Sequence, residues 1–206
     1  MNLLKWSFRL MALIVFTSAS LAQHVHDGDI IVGSTADGSG ALAVEYDFDD
    51  VIFVSPGFSF GGSTLYTSTE PGFDTLDEDE IDEGFYALDT AGVGVFVEIM
   101  ALDAGASMVI NGITLDAIGE SAQIGITTFD PGPPANVGGL HNHPIWQLFL
   151  PEGVLGQYEI SFKLTENHAS YSESEVYTAV LSNVPEPAGV ALGGLIVPWM
   201  MRRRMK

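Results

Sequence analysis

A chain of 206 residues with 27 acidic and 7 basic side chains has a formal net charge of −20, and it contains no cysteine. That balance excludes nucleic acid and anionic membrane surfaces as natural partners of the folded part, since binding them takes clustered lysine and arginine. Without disulfides, an exported fold must be held by packing or by a bound metal.

Residues 1–22 read as a secretory signal peptide. Lys5 and Arg9 give a positive start, Leu10 to Phe16 an apolar stretch, and Ser20-Leu21-Ala22 satisfies the small-x-small rule, which places cleavage between Ala22 and Gln23. The adjoining stretch, 23–183, has the length of one ordinary domain and can bury a core of its own. Lys163 is its only basic residue and Glu186 is the only acid outside it, so this part is more acidic than the whole chain. Cations are its natural partners; a salt-adapted or merely soluble secreted surface has the same composition.

In chain order, alternating or β-branched runs predict strands at His24 to Val32, Leu42 to Phe48, Val51 to Val54, Val93 to Ala101, Ser107 to Ile110, Gln123 to Thr128, Trp146 to Leu150, Gln157 to Leu164 and Glu175 to Leu181. Tyr158, Ile160, Phe162 and Leu164 alternate with Glu159, Ser161 and Lys163, the mark of a strand with one wet face. Gly, Pro, Asn and Asp break the gaps and no capped helical stripe is visible. The expected fold is all-β, an antiparallel β-sandwich or jelly roll. Ser55 to Phe85, with Gly61-Gly62 and an acidic stretch, reads as the longest irregular piece. Asp130-Pro131-Gly132-Pro133-Pro134 with Gly138-Gly139 reads as a rigid turn just before His141.

The chain closes with Val184-Pro185-Glu186-Pro187, an apolar run from Ala188 to Met201 broken by Pro198, and Arg202-Arg203-Arg204-Met205-Lys206. The run falls short of the roughly 20 residues that a spanning helix needs, and arginines behind it favour the cytoplasmic side, leaving the domain outside. Pro185-Glu186-Pro187, the apolar run and Arg202, Arg203 and Arg204, in that order, resemble the PEP-CTERM sorting signal over residues 184–206. The resemblance implies an exosortase-type membrane enzyme as partner, cutting near Pro-Glu-Pro and passing the protein to the cell surface or extracellular matrix, with the tail as a transient anchor. A permanent single-pass anchor is the other reading.

Four of the five histidines form two His-x-His pairs, His24 with His26 and His141 with His143. Residues two apart in a strand point to one face about 6.5 to 7 Å apart, so each pair can offer two imidazoles to one ion. Two facing pairs would make a four-nitrogen site suited to zinc, with copper or nickel as alternatives. His168, Asp27 and Asp29 are candidate further ligands or orienting groups. The bland alternative is a frayed terminus at His24 and His26 and a turn with two solvated imidazoles. The segment from His141 through Pro144 and Trp146, then Pro151-Glu152-Gly153 and Gly156-Gln157-Tyr158, is similar to the His-x-His, aromatic, Pro-Gly-x-Tyr segment of bacterial surface-anchored repeats. It departs from them at Pro144 and by two extra residues before the Gly-x-Tyr. That resemblance implies an association with zinc, and only His141 and His143 match its motif positions.

Other chemistry is less well supported. Were cleavage to come after Gln23, His24 would carry a free amine and could hold copper. Gly57-Phe58-Ser59-Phe60-Gly61 spells a nucleophile elbow, but Gly62 to Thr67 makes a poor helix, so Ser59 reads as loop. Asp74, Asp77, Glu78, Asp79, Glu80, Asp82 and Glu83 could gather calcium weakly, although the glycine of a helix-loop-helix calcium loop is misplaced. Trp146 and Tyr171 are available to a carbohydrate-binding face, but Trp146 alternates with Leu148 and Leu150 and so reads as core. The expectation is therefore an exported, non-enzymatic surface or matrix protein that captures zinc through His24, His26, His141 and His143, with ligands neutral above about pH 6.5, the ordinary imidazole pKa. The rival is a structural or adhesive matrix component without a specific metal, presenting an acidic surface to polysaccharide. A hydrolase is a distant third.

Overall fold

The computed structural model of the protein describes residues 28–76, 79–129, 137–138 and 140–185. Its strands are β1 (Ile30–Ala36), β2 (Ser39–Glu45), β3 (Val51–Phe53), β4 (Ser55–Phe60), β5 (Ser63–Ser68), β6 (Phe73–Thr75), β7 (Gly94–Leu102), β8 (Ala106–Ile110), β9 (Ile113–Leu115), β10 (Ser121–Ile126), β11 (Thr128–Phe129), β12 (Val137–Gly138), β13 (His141–Asn142), β14 (Ile145–Pro151), β15 (Gln157–Glu166) and β16 (Tyr177–Ser182). They form sheets ordered β13-β6-β1-β2, β10-β7-β15-β16-β3 and β4-β5-β14-β8-β9, with β11 and β12 paired separately. Among the described strands, β1 with β6 and β16 with β3 pair in parallel and the other pairs are antiparallel. The protein is all-β, with mostly antiparallel sheets in a sandwich-like arrangement, and the described residues contain no helix.

Alternation decides which side of each strand faces the core. On β15, Ile160, Phe162 and Leu164 are buried, and on the neighbouring β7 so are Val95, Val97 and Ile99. Trp146, Leu148 and Leu150 of β14 and Met108 and Ile110 of β8 supply the opposing layer of one continuous core. Removing each such side chain from water stabilises the fold by about 1.5–3 kcal/mol. The three large sheets meet at an aromatic cluster: Phe162 lies 5.9 Å from Phe73 of the first sheet, edge to face, and 6.4 Å from Trp146 of the third.

Ser55 to Phe85, expected to be irregular, instead holds β4, β5 and β6. Gly61 and Gly62 have φ of 62° and 80°, the pair of positive values that a two-residue hairpin turn demands, and they fold β4 back on β5. Two features hid this hairpin in the sequence. Pro56 and Gly57 interrupt β4, and every residue of β4 is exposed, so no alternation marks it. Asn111-Gly112 makes the same kind of turn between β8 and β9, with φ of 50° and 79°.

Candidate metal centre

The short strand β6 collects the site. It pairs in parallel with β1, Ile30 opposite Phe73, and antiparallel with β13, His141 opposite Asp74. Asp29, just ahead of β1, therefore lies beside Gly72, whose N–H donates to Asp29 Oδ1 at 2.8 Å, while Ile30 N–H donates to Gly72 O at 2.9 Å. Buried neighbours fix the histidine segment from both sides. Leu140 packs into space left by Gly125, where a Cβ would come within 2.9 Å of the leucine Cγ, and Trp146 is fully buried. The indole N–H of Trp146 donates to Pro71 O at 2.9 Å, tying β14 to the Glu70-Pro71-Gly72 corner. The exposed His141 and half-buried His143 thus sit between two anchors in the core.

Asp29, His141 and His143 each bring a ligand atom within 4.8 Å of the others, close enough to hold a metal ion. The two Nε2 atoms are 3.2 Å apart. Two nitrogens bound tetrahedrally to one zinc at 2.0–2.1 Å would be separated by about 3.3 Å. The outer nitrogens face oxygen acceptors: His141 Nδ1 lies 3.4 Å from Asp74 Oδ2, and His143 Nδ1 lies 3.4 Å from Glu70 Oε1 and 3.3 Å from Thr69 O. A neutral imidazole carries one N–H. The Nε2···Nε2 contact is a hydrogen bond when one ring carries its proton on Nε2; with the proton of both rings on Nδ1, toward the oxygen acceptors, a cation between the two Nε2 atoms would take its place. Carboxylates behind metal-binding imidazoles set the tautomer and ring orientation in this way.

Asp29 adds a second, independent indication. Its side chain is only 5 % exposed, and its Oδ2 is buried without a hydrogen-bond partner among the described residues. A buried carboxylate oxygen left unpaired is costly, and a bound cation is one of the few groups that offsets the cost. Gly72 lets His143 and Asp29 pack this closely, because a Cβ there would come within 2.9 Å of His143 Nδ1 and 3.0 Å of Asp29 Oδ1.

The other sequence candidates fall elsewhere. His24, His26 and Asp27 lie outside the described residues, as do Ala22, Gln23, Glu186, Pro187, Arg202, Arg203 and Arg204; Pro185 is the last residue described and is exposed. His168 is exposed in the β15–β16 connection, with its backbone N–H donating to Glu166, and it does not belong to the converging group. Trp146 is core, as its alternation implied. Tyr171 is also buried, its hydroxyl donating to Asp89 Oδ1 at 3.0 Å, which removes it from any carbohydrate-facing surface. Ser59 lies in β4 and shares a 2.9 Å hydrogen bond with Thr64, on a hairpin and not at a strand-to-helix elbow. Glu45, Glu80 and Glu83 form a second cluster, fully on the surface. Desolvation first, then the charges of Glu80 and Glu83, raise the Glu45 pKa above its ordinary value. Sequence reasoning gave Asp29 only a supporting place and missed Gly72 and Glu70, because nothing in local periodicity shows that β6 brings these segments together.

No family model, curated protein or solved structure matches the chain.

Proposed function

We propose that the protein is an exported, non-enzymatic surface or matrix component, sorted by an exosortase-type enzyme through its C-terminal segment, whose β-domain captures zinc with Asp29, His141 and His143. Sorting rests on the order of Pro185-Glu186-Pro187, the apolar run and the terminal arginines in the sequence. The metal reading rests on one observation above all, the convergence of ligand atoms of Asp29, His141 and His143 within 4.8 Å of one another, where Asp29 also has a buried, unpaired oxygen. Two imidazoles and one carboxylate suit zinc, with a fourth position left for water; copper is the nearest alternative and calcium, which prefers oxygen ligands, is further off. His24 and His26 are not needed for this set.

The test is elemental analysis of the exported chain after equilibration with submicromolar zinc and removal of free ion. About one zinc per chain is expected, as for a single tetrahedral site, and none in a His141→Ala/His143→Ala variant. Metal in neither protein would leave the rival reading, a matrix component that meets polysaccharide through its acidic surface.

A further inference from the structure

One end of the sandwich is apolar in a domain otherwise crowded with carboxylates. The β4–β5 hairpin presents Phe58 and Phe60, two residues apart and so on one face of an edge strand, with Phe60 76 % exposed. The tip of this hairpin meets the β14–β15 turn, where Glu152 N–H donates to Gly62 O at 2.9 Å. That turn carries Val154 and Leu155, both exposed. Asn183 then clamps the turn to the end of β16: its side chain donates to Val154 O and accepts from Gly156 N–H, each at 2.8 Å. Phe53, opposite Ser182, and Val184 complete the set. These six are half of the large hydrophobics exposed among the described residues, and they surround the point where the chain leaves the domain. The segments 55–63 and 153–157 contain no charged residue.

The chain beyond that point decides what covers the patch. From Val184 the apolar run at Ala188 is four residue steps away, at most about 14 Å of fully extended chain. A domain tethered so closely to a membrane-seated run must keep this end at the bilayer surface. An exposed apolar patch with little charge is suited to the boundary between headgroups and acyl chains.

We propose that the end of the sandwich formed by Phe53, Phe58, Phe60, Val154, Leu155 and Val184 lies against the bilayer that holds residues 188–201, with Phe58, Phe60 and Leu155 entering the headgroup region. The inference rests on the anchoring reading of the C-terminal segment and is independent of the metal site. Because the chain has no cysteine, single cysteines can be labelled cleanly. Phe60→Cys, Leu155→Cys and Val176→Cys variants of the exported chain, C-terminal segment kept, would each carry an environment-sensitive nitrobenzoxadiazole dye and be mixed with phosphatidylcholine vesicles. Val176 is as exposed as Leu155, at 52 % against 57 %, but sits at the opposite end of β16, roughly 26 Å along the strand from Val184.

The protein should float with the vesicles, and dye emission at 60 and 155 should rise about two-fold, shift to the blue and be quenched by lipids spin-labelled near the headgroup, while 176 stays unchanged. Flotation with 60 and 155 behaving like 176 would overturn the inference and leave the anchor standing. A rise that depends on protein density at fixed lipid would overturn it in favour of a second copy. Failure to float would overturn the anchor and this inference together.

Discussion

Among the described residues, two clusters gather three metal-ligating groups each, and they differ in everything except number. Glu45, Glu80 and Glu83 are exposed carboxylates, and desolvation first, then the charges of its two neighbours, raise the Glu45 pKa. Asp29, His141 and His143 combine a buried carboxylate with two imidazoles, backed by Asp74 and Glu70, and Gly72, with no Cβ, lets Asp29 and His143 pack close. In so acidic a chain, carboxylate density by itself is a poor guide to a site. What marks one is a desolvated oxygen without a partner beside two imidazoles already spaced as ligands of one ion would be.

Substitutions at the two clusters should separate them. The largest effect is expected from His141→Ala/His143→Ala, which should abolish zinc binding in isothermal titration calorimetry, while Glu80→Gln/Glu83→Gln leaves it unchanged. Loss of binding in the second variant would move the site to the acidic cluster.

Asp29→Asn comes next. It keeps an acceptor for the Gly72 N–H but removes the buried charge, so zinc affinity should fall about 100-fold, equivalent to ~2.7 kcal/mol. The metal-free domain should keep nearly its full stability, because the asparagine retains the acceptor for the Gly72 N–H. Lower affinity joined to lower metal-free stability would argue that Asp29 is a structural cap and not a ligand.

A smaller change belongs to Asp74→Asn. Losing the carboxylate behind an imidazole typically weakens a metal site by about ten-fold or somewhat more, and the wild-type folding stability should be nearly kept, since the asparagine still offers an acceptor to the Thr75 N–H and His141 is half exposed.

The smallest effect is at the acidic cluster itself. A raised Glu45 pKa means that its ionised form is disfavoured in the fold; its contribution to stability is fully present below the ordinary value of 4.5 and is lost as pH rises through the raised one. Glu45→Gln should therefore melt slightly above wild type at neutral pH, and the gain should vanish below about pH 4. A gain that persisted in acid would show that the side chain's packing, and not its charge, is responsible.

The regular strands were legible in the sequence because their burial is one-sided. The Phe162 and Trp146 strands show period-two alternation, and both sit where that alternation places them. The β4–β5 hairpin was not legible, since an edge strand exposed on both faces leaves no pattern; Gly61-Gly62 was its one signal. Two of the three groups of the metal centre could be read, because His141 and His143 are close in sequence. Asp29 could not be assigned, as it joins them through the pairing of β6 with both β1 and β13, and that pairing depends on Phe73 packing against Trp146 and Phe162.

The most direct test of zinc capture at this site is the X-ray absorption spectrum at the zinc edge of the zinc-loaded exported protein. Ligation by Asp29, His141 and His143 predicts scattering from two imidazoles, with Zn–N about 2.0–2.1 Å, and from oxygen ligands at about 2.0–2.2 Å. A spectrum with four imidazoles would replace Asp29 by His24 and His26, and one without imidazole would contradict the site altogether.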